Sequence, residues 1–112
     1  MIRWSFDDDH LLDLVIAGKK RATCSVYSGK ITPLGEESII TKNGKDAVKI
    51  RIIAAKVFKF KEAKEDDVIK EGEGNLEAWR KVHIEFFKKY YPDFNDEYDI
   101  LFEEFEVVEI YE

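Results

Sequence analysis

Between Lys42 and Val57 the sequence does two things that few folds accommodate together. Lys42-Asn43-Gly44-Lys45 is a hairpin signal, because Asn-Gly accepts the positive φ angles of a tight two-residue turn. The run that follows alternates Val48, Ile50, Ile52 and Ala54 with Lys49 and Arg51, the period of a strand with one buried face. The alternation then breaks at Ala54-Ala55, and Val57 takes over the apolar side. A phase break inside one long strand predicts a β-bulge, the device that bends a sheet towards closure. The chain therefore reads as a small, strongly curved sheet of about five or six strands. An all-helical core, or a parallel sheet with helices on both faces, would contradict this reading.

Two helical segments accompany the sheet. Leu11, Leu12, Leu14, Val15 and Ile16 fall largely on one stripe. Asp7 or Asp8 can cap its start, and Gly18 is placed to end it in a left-handed turn. Lys19 and Lys20 then stand near the negative end of the helix dipole. Ala22–Tyr27 reads as a strand, residues 28–36 as a loop, and Ser38–Thr41 as a short strand. Residues 61–70 are densely charged and open with a helical turn or short helix. Asn75 can cap a second helix from Leu76 to Tyr90. Its apolar stripe is Leu76, Trp79, Val82 or His83, Phe86, Phe87 and Tyr90. Pro92 forbids its continuation. Asp99–Tyr111 reads as the strand that closes the sheet.

A chain of 112 residues is expected to form one domain, residues 1–112. With 45% hydrophobic residues it can bury a core, and the 38% charged residues point to a heavily solvated surface. The formal net charge of -6 argues against unspecific gripping of nucleic acid, DNA included, while leaving room for a local basic patch. Cys24 is the only cysteine, so no internal disulfide forms. Met1-Ile2-Arg3-Trp4-Ser5-Phe6-Asp7-Asp8-Asp9 lacks a signal peptide's apolar core, and no stretch approaches the ~18 apolar residues of a membrane span. A cytoplasmic protein without membrane contact is expected, as a monomer or weak homodimer.

Several chemistries lack their motifs. Gly18-Lys19-Lys20 has neither the upstream glycine nor the following Ser/Thr of a phosphate-binding loop. Gly72-Glu73-Gly74 lacks the third glycine of a dinucleotide fold. Two histidines and one cysteine, dispersed along the chain, make a poor zinc site. No metal or cofactor is expected. No G-x-S-x-G elbow supports a serine triad.

Two segments about fifty residues apart carry the chemistry that remains. Ala17-Gly18-Lys19-Lys20-Arg21-Ala22-Thr23-Cys24-Ser25 sets cations and hydroxyls at a helix-to-strand junction. A threonine hydroxyl becomes a nucleophile when a neighbouring base takes its proton. Lys20 is that base if burial or the adjacent cations Lys19 and Arg21 lower its pKa; otherwise it is a solvated helix-end charge. Glu71-Gly72-Glu73-Gly74 sets two carboxylates on a loop loosened by glycine. Glu73 could pair with a cation, position a base or protonate a leaving amine, and otherwise both acids are exposed loop residues. Trp79 is either core or a ligand contact. Arg80 faces the cleft or the solvent. His83 and Cys24 read as structural, and Phe86 and Phe87 as packing residues.

The same segments, with the early Trp4, the Trp79-Arg80-Lys81-Val82-His83-Ile84-Glu85-Phe86-Phe87 run and the closing Phe105-Glu106-Val107-Val108, resemble the ASCH domain along the whole chain. The resemblance implies an α+β fold: a small PUA-like β-barrel, mostly antiparallel, flanked by helices. It also implies RNA or a modified nucleoside as ligand, held in the cleft between barrel and helices. One bacterial branch of the family is an amidohydrolase that deacetylates N4-acetylcytidine. Its Lys, Thr and Glu fall on Lys20, Thr23 and Glu73, which makes these the expected catalytic set. Lys19, Arg21, Ser25, Tyr27, Glu71, Trp79 and Arg80 are then the expected substrate contacts. Another branch is associated with ribonuclease activity. The E-G-E-G and W-R-x-x-H-x-x-F-F signature belongs to a different subgroup. Its members usually carry a helical extension ahead of the matching region, Asp at the position of Asn75, and a G-D turn at Gly35-Glu36.

Two further readings compete with the enzyme. In a non-catalytic RNA-binding module, Lys19, Lys20 and Arg21 hold phosphates together with Lys56, Lys59 and Lys61. A protein-interaction domain needs an exposed apolar patch, which the sequence does not reveal.

Overall fold

The computed structural model describes residues 1–111. Five strands, β1 (Ile2–Trp4), β2 (Ala22–Val26), β3 (Glu37–Lys42), β4 (Lys45–Lys59) and β5 (Asp99–Ile110), form one sheet in the order β1-β3-β4-β5-β2. Three helices, α1 (Asp9–Ile16), α2 (Glu65–Val68) and α3 (Leu76–Tyr90), pack with it, and short 3-10 turns cover Phe60–Glu62 and Ile69–Glu71. Three strand pairings are antiparallel and β1 with β3 is parallel. This is the expected α+β, mostly antiparallel fold, a curled half-barrel.

The hairpin turns where Asn-Gly demands, with φ of 53° at Asn43 and 77° at Gly44. The strand phase break is a bulge, one residue earlier than the sequence predicts. Ile52 pairs with Phe105 and Ala54 with Glu104, so Ile53 is the extra residue and points outward. A second slip lies between Lys49 and Ile50, where Val108 is the unmatched residue on β5. Strand β1 is not expected from sequence. Three residues are too few to show alternation, and only the pairing with β3 orders them.

Helix α1 is capped by Asp8, whose Oδ1 accepts from the His10 N–H at 2.8 Å. It ends at Gly18 in a Schellman turn: Lys19 N–H bonds Leu14 carbonyl at 2.9 Å and Gly18 N–H bonds Val15 carbonyl at 3.0 Å. Asn75 caps α3 by accepting from Ala78 N–H at 2.9 Å.

Apolar burial falls into two clusters. Leu12 and Val15 of α1 pack on Ile40, Val48, Ile50, Ile52 and Phe105 of the sheet. Trp79 and Phe87 of α3 pack with Phe60, Val68, Phe94 and Ile100. Each fully buried side chain of this size stabilises the fold by roughly 1.5–3 kcal/mol. Trp4 and Phe6 flank the first cluster, and Cys24 and Val26 flank the second. The seam between the two clusters is where the candidate site lies.

Candidate active site

Two backbone contacts bring the distant segments together. Arg21 N–H donates to the Lys70 carbonyl at 2.7 Å. Gly72, at φ 78°, lies so close to Lys19 that a Cβ there would sit 2.8 Å from the Lys19 carbonyl oxygen. A side chain at this position is excluded both by conformation and by contact. The glycine of the acidic loop therefore serves the docking of that loop on the end of α1.

This docking drives Lys20 inward. Its side chain is 2% exposed, and its Nζ stands 3.3 Å from both the Glu71 carbonyl and Glu71 Oε1. The ammonium also lies 5.7 Å from the Phe6 ring centre. Glu71 is 1% exposed, and its other oxygen accepts from the Trp79 indole N–H at 2.5 Å. His83 Nε2 stands 3.5 Å from Glu71 Oε1 and 3.5 Å from Glu73 Oε2. The carboxylate that touches Lys20 is thus Glu71 and not Glu73, which stands against His83 instead.

Burial alone would raise the Glu71 carboxyl. The His83 contact, the Lys20 charge and the Trp79 N–H outweigh it and hold the group below the usual carboxylate range. Burial alone would lower the His83 imidazole, but Glu71, Glu73 and the Trp79 carbonyl raise it above its ordinary value. Burial first, and then the Glu71 charge, push the Cys24 thiol well up. Cys24 therefore stays protonated and is a poor nucleophile. Donor atoms of Cys24, Glu71 and His83 lie within 4.8 Å of one another, types that a transition metal accepts. The Lys20 ammonium already on Glu71 and the protonated thiol both work against a cation there.

A cavity of about 620 Å³ opens over this cluster. Lys20, Thr23, Ser25, Glu71, Glu73 and His83 all line it, so the three expected catalytic residues share one cleft. Trp4, Phe6, Val82, Phe86, Tyr90 and Tyr91 supply apolar wall. Tyr90 O–H donates to Asp7 Oδ2 at 2.6 Å, tying α3 to the segment before α1 at the rim.

The expected substrate contacts divide. Ser25 and Glu71 line the cavity. Lys19 and Arg21 are exposed and Tyr27 half-buried, and none of the three lines it. Trp79 is 0% exposed; it supports the floor and offers no face to a ligand. Arg80 turns its guanidinium to the Phe60, Lys61 and Ala63 carbonyls, which satisfies the 3-10 turn there. Lys56, Lys59 and Lys61 are engaged by Asp67, by Glu97 and Asp99, and by Glu97 respectively. Sequence reasoning missed Phe86, which is 42% exposed and lines the cavity, and the place of His83 between two acids. The helical period held the signal. Trp79, His83 and Phe87 form the buried row of α3, and Val82, Phe86 and Tyr90 form a second row facing the cavity.

A curled sheet with its cleft between barrel and helices defines the class as PUA-like. The ASCH domain model matches residues 2–109, and the chain belongs to the ASCH domain family, a PUA-like fold associated with RNA binding. The chain is similar to an ASCH domain from Lactobacillus crispatus, with 26% identity over 96% of this chain and 80% of that one, at a TM-score of 0.82. It is similar to a protein from Enterococcus faecalis, with 25% identity over 98% of this chain and 77% of that one, at a TM-score of 0.88. An ASCH protein mutant from Zymomonas mobilis shares the fold at 8% identity, over 97% of this chain and 73% of that one, with a TM-score of 0.61. No curated protein matches the sequence. Among the described residues, no helix is long and apolar enough to cross a membrane.

Proposed function

We propose that this chain is an amidohydrolase of N-acyl nucleosides of the N4-acetylcytidine type, working without metal or cofactor. The observation that carries the reading is the convergence of Thr23 with the Lys20–Glu71 pair on one aromatic-walled cavity. In the reaction Lys20, having given one ammonium proton to solvent, takes the Thr23 proton, and Thr23 Oγ attacks the amide carbonyl to give an acyl-enzyme. Glu71 holds Lys20 in place for this step, the task first assigned to Glu73. Phe86 and the tyrosines at the rim provide faces on which a base can stack.

The charge of the cavity favours a nucleoside over a phosphate backbone. Asp7, Glu71, Glu73 and Glu103 line it against Lys20 and His83, and Glu71 already occupies Lys20. A neutral acylated base meets no repulsion there, whereas a phosphate would. The second reading, RNA binding without hydrolysis, draws on the exposed Lys19 and Arg21 just outside the cleft. A ribonuclease would need the same outer cations.

Incubation with N4-acetylcytidine, followed by chromatography for cytidine, tests the reading. Thr23→Ala should abolish turnover and keep the fold. Lys20→Arg should lose roughly 10²–10⁴ in rate, since guanidinium does not accept the proton. Nucleoside affinity should be nearly independent of salt. Full turnover in Thr23→Ala would exclude the threonine nucleophile. Steeply salt-dependent RNA binding that tolerates both changes would favour the second reading.

A further inference from the structure

The hydrolase reading leaves one need unmet: the nitrogen that departs from the acyl group must receive a proton. We propose that Glu73 and His83 form the relay that delivers it, an inference that rests on the hydrolase reading.

The hydrogen bonds of His83 decide its protonation. Nδ1 stands 2.8 Å from the Trp79 carbonyl, which only accepts, so Nδ1 carries a hydrogen. A neutral ring would then turn the bare lone pair of Nε2 towards two carboxylate oxygens, Glu71 Oε1 and Glu73 Oε2, each 3.5 Å away. That arrangement is repulsive. With a proton on Nε2 it becomes an imidazolium held between two acids.

Glu73 supplies the second observation. Its Oε2 is buried and has no hydrogen-bond partner among the described residues. A buried carboxylate oxygen left unmatched is destabilising, and the donor nearest to it is His83 Nε2. The 3.5 Å to Nε2 is slightly longer than a good hydrogen bond, so a small rotation closes it. The Glu73 side chain is 14% exposed and lines the cavity, as does His83. The pair thus reaches from the buried cluster to the ligand space. The groups around His83 are Glu71 and Glu73 from the acidic loop, Cys24 from β2, Trp79 and Phe87 from α3, and Lys20 behind Glu71.

The protons close over the cycle. Thr23 Oγ forms its bond to the acyl carbon and its proton goes to the Lys20 amine. The C–N bond breaks as the nitrogen takes the proton of the Glu73 carboxyl, which His83 Nε2 has supplied. Thr23 is then an ester, Lys20 an ammonium and His83 neutral. Water attacks the ester and gives its proton through Glu73 back to His83. The C–O bond to Thr23 breaks, and Thr23 Oγ recovers its proton from Lys20.

The test compares a poor and a good leaving group. Wild type, His83→Gln and Glu73→Gln are assayed on N4-acetylcytidine and on p-nitrophenyl acetate, whose phenolate departs unprotonated. In a single turnover, which reads acylation apart from the deacylation both substrates share, both variants should lose roughly 10²–10⁴ in cytidine release, the usual worth of a general acid, and far less in p-nitrophenolate release. Wild-type amide turnover should fall as rising pH strips His83, and that limb should vanish in His83→Gln. Equal single-turnover losses on both substrates with an unchanged pH profile would overturn the relay and leave His83 a structural residue. Nitrogen NMR of the His83 ring gives an independent check: a neutral ring with bare Nε2 at neutral pH also overturns the relay. A wild type that turns over neither substrate removes the hydrolase reading, and the relay with it.

Discussion

Lys20, Trp79 and His83 all direct polar hydrogens or charge at Glu71, so that one buried acid is held from two sides, by the connection between α1 and β2 and by α3. Stability should follow pH accordingly. The folded-state pKa of His83 is raised, so its contribution is complete below the unfolded value of about 6.5 and is lost as pH rises through the folded value. Glu71 works in the opposite sense. Its folded pKa is lowered, so its contribution is present above about 4.5 and disappears as pH falls through the folded value. Thermal melts across pH should show the alkaline decline in wild type and lack it in His83→Asn. A melting temperature that rises through the same window would contradict the assignment of charge to His83. Lys20, Thr23 and the two acids were singled out in the sequence by the motifs that resemble the ASCH domain; charge and spacing alone left them as ordinary helix-end and loop residues in a chain that is 38% charged. Which acid faces Lys20 was not legible, because Glu71 and Glu73 are separated by one residue and diverge only through the turn at Gly72.

The elements show where local pattern suffices. Helix α1, helix α3, the Asn43-Gly44 turn and the last strand announce themselves through caps, period and turn chemistry. Strand β1 does not, because its order comes from a partner far along the chain. Glycines of similar φ likewise have different weight by position. Gly18 at 77° has open space around it, whereas Gly72 at 78° abuts the Lys19 carbonyl. Gly18→Ala should cost about 1–2 kcal/mol, the price of a left-handed alanine. Gly72→Ala should cost clearly more and disturb the site, because backbone must also move. Urea denaturation of the two variants measures the difference; equal losses would mean that the acidic loop yields freely.

Across the whole molecule, the curved sheet and the apolar stripes of its two longer helices were legible in broad form, since a broken strand period forces curvature; the division of the core into two clusters was not. Nor was the position of the cavity. It lies in the seam between clusters, and no periodicity encodes which side chains two separately packed cores leave unburied. The same arrangement governs the order of events as the chain folds. The β3–β4 hairpin is local and closes through a two-residue turn. Strand β2, which carries Thr23, pairs with β5, the last strand. The Lys20–Glu71 contact spans 51 positions. Long-range pairings form late because loop closure must precede them. Pulse-labelled hydrogen exchange during refolding should therefore protect β3–β4 amides before those of β2, and the reverse order would refute this. A chain emerging from the ribosome would hold its hairpin early, yet could not close the cavity that Thr23 and Glu103 line until β5 had been made and had paired with β2.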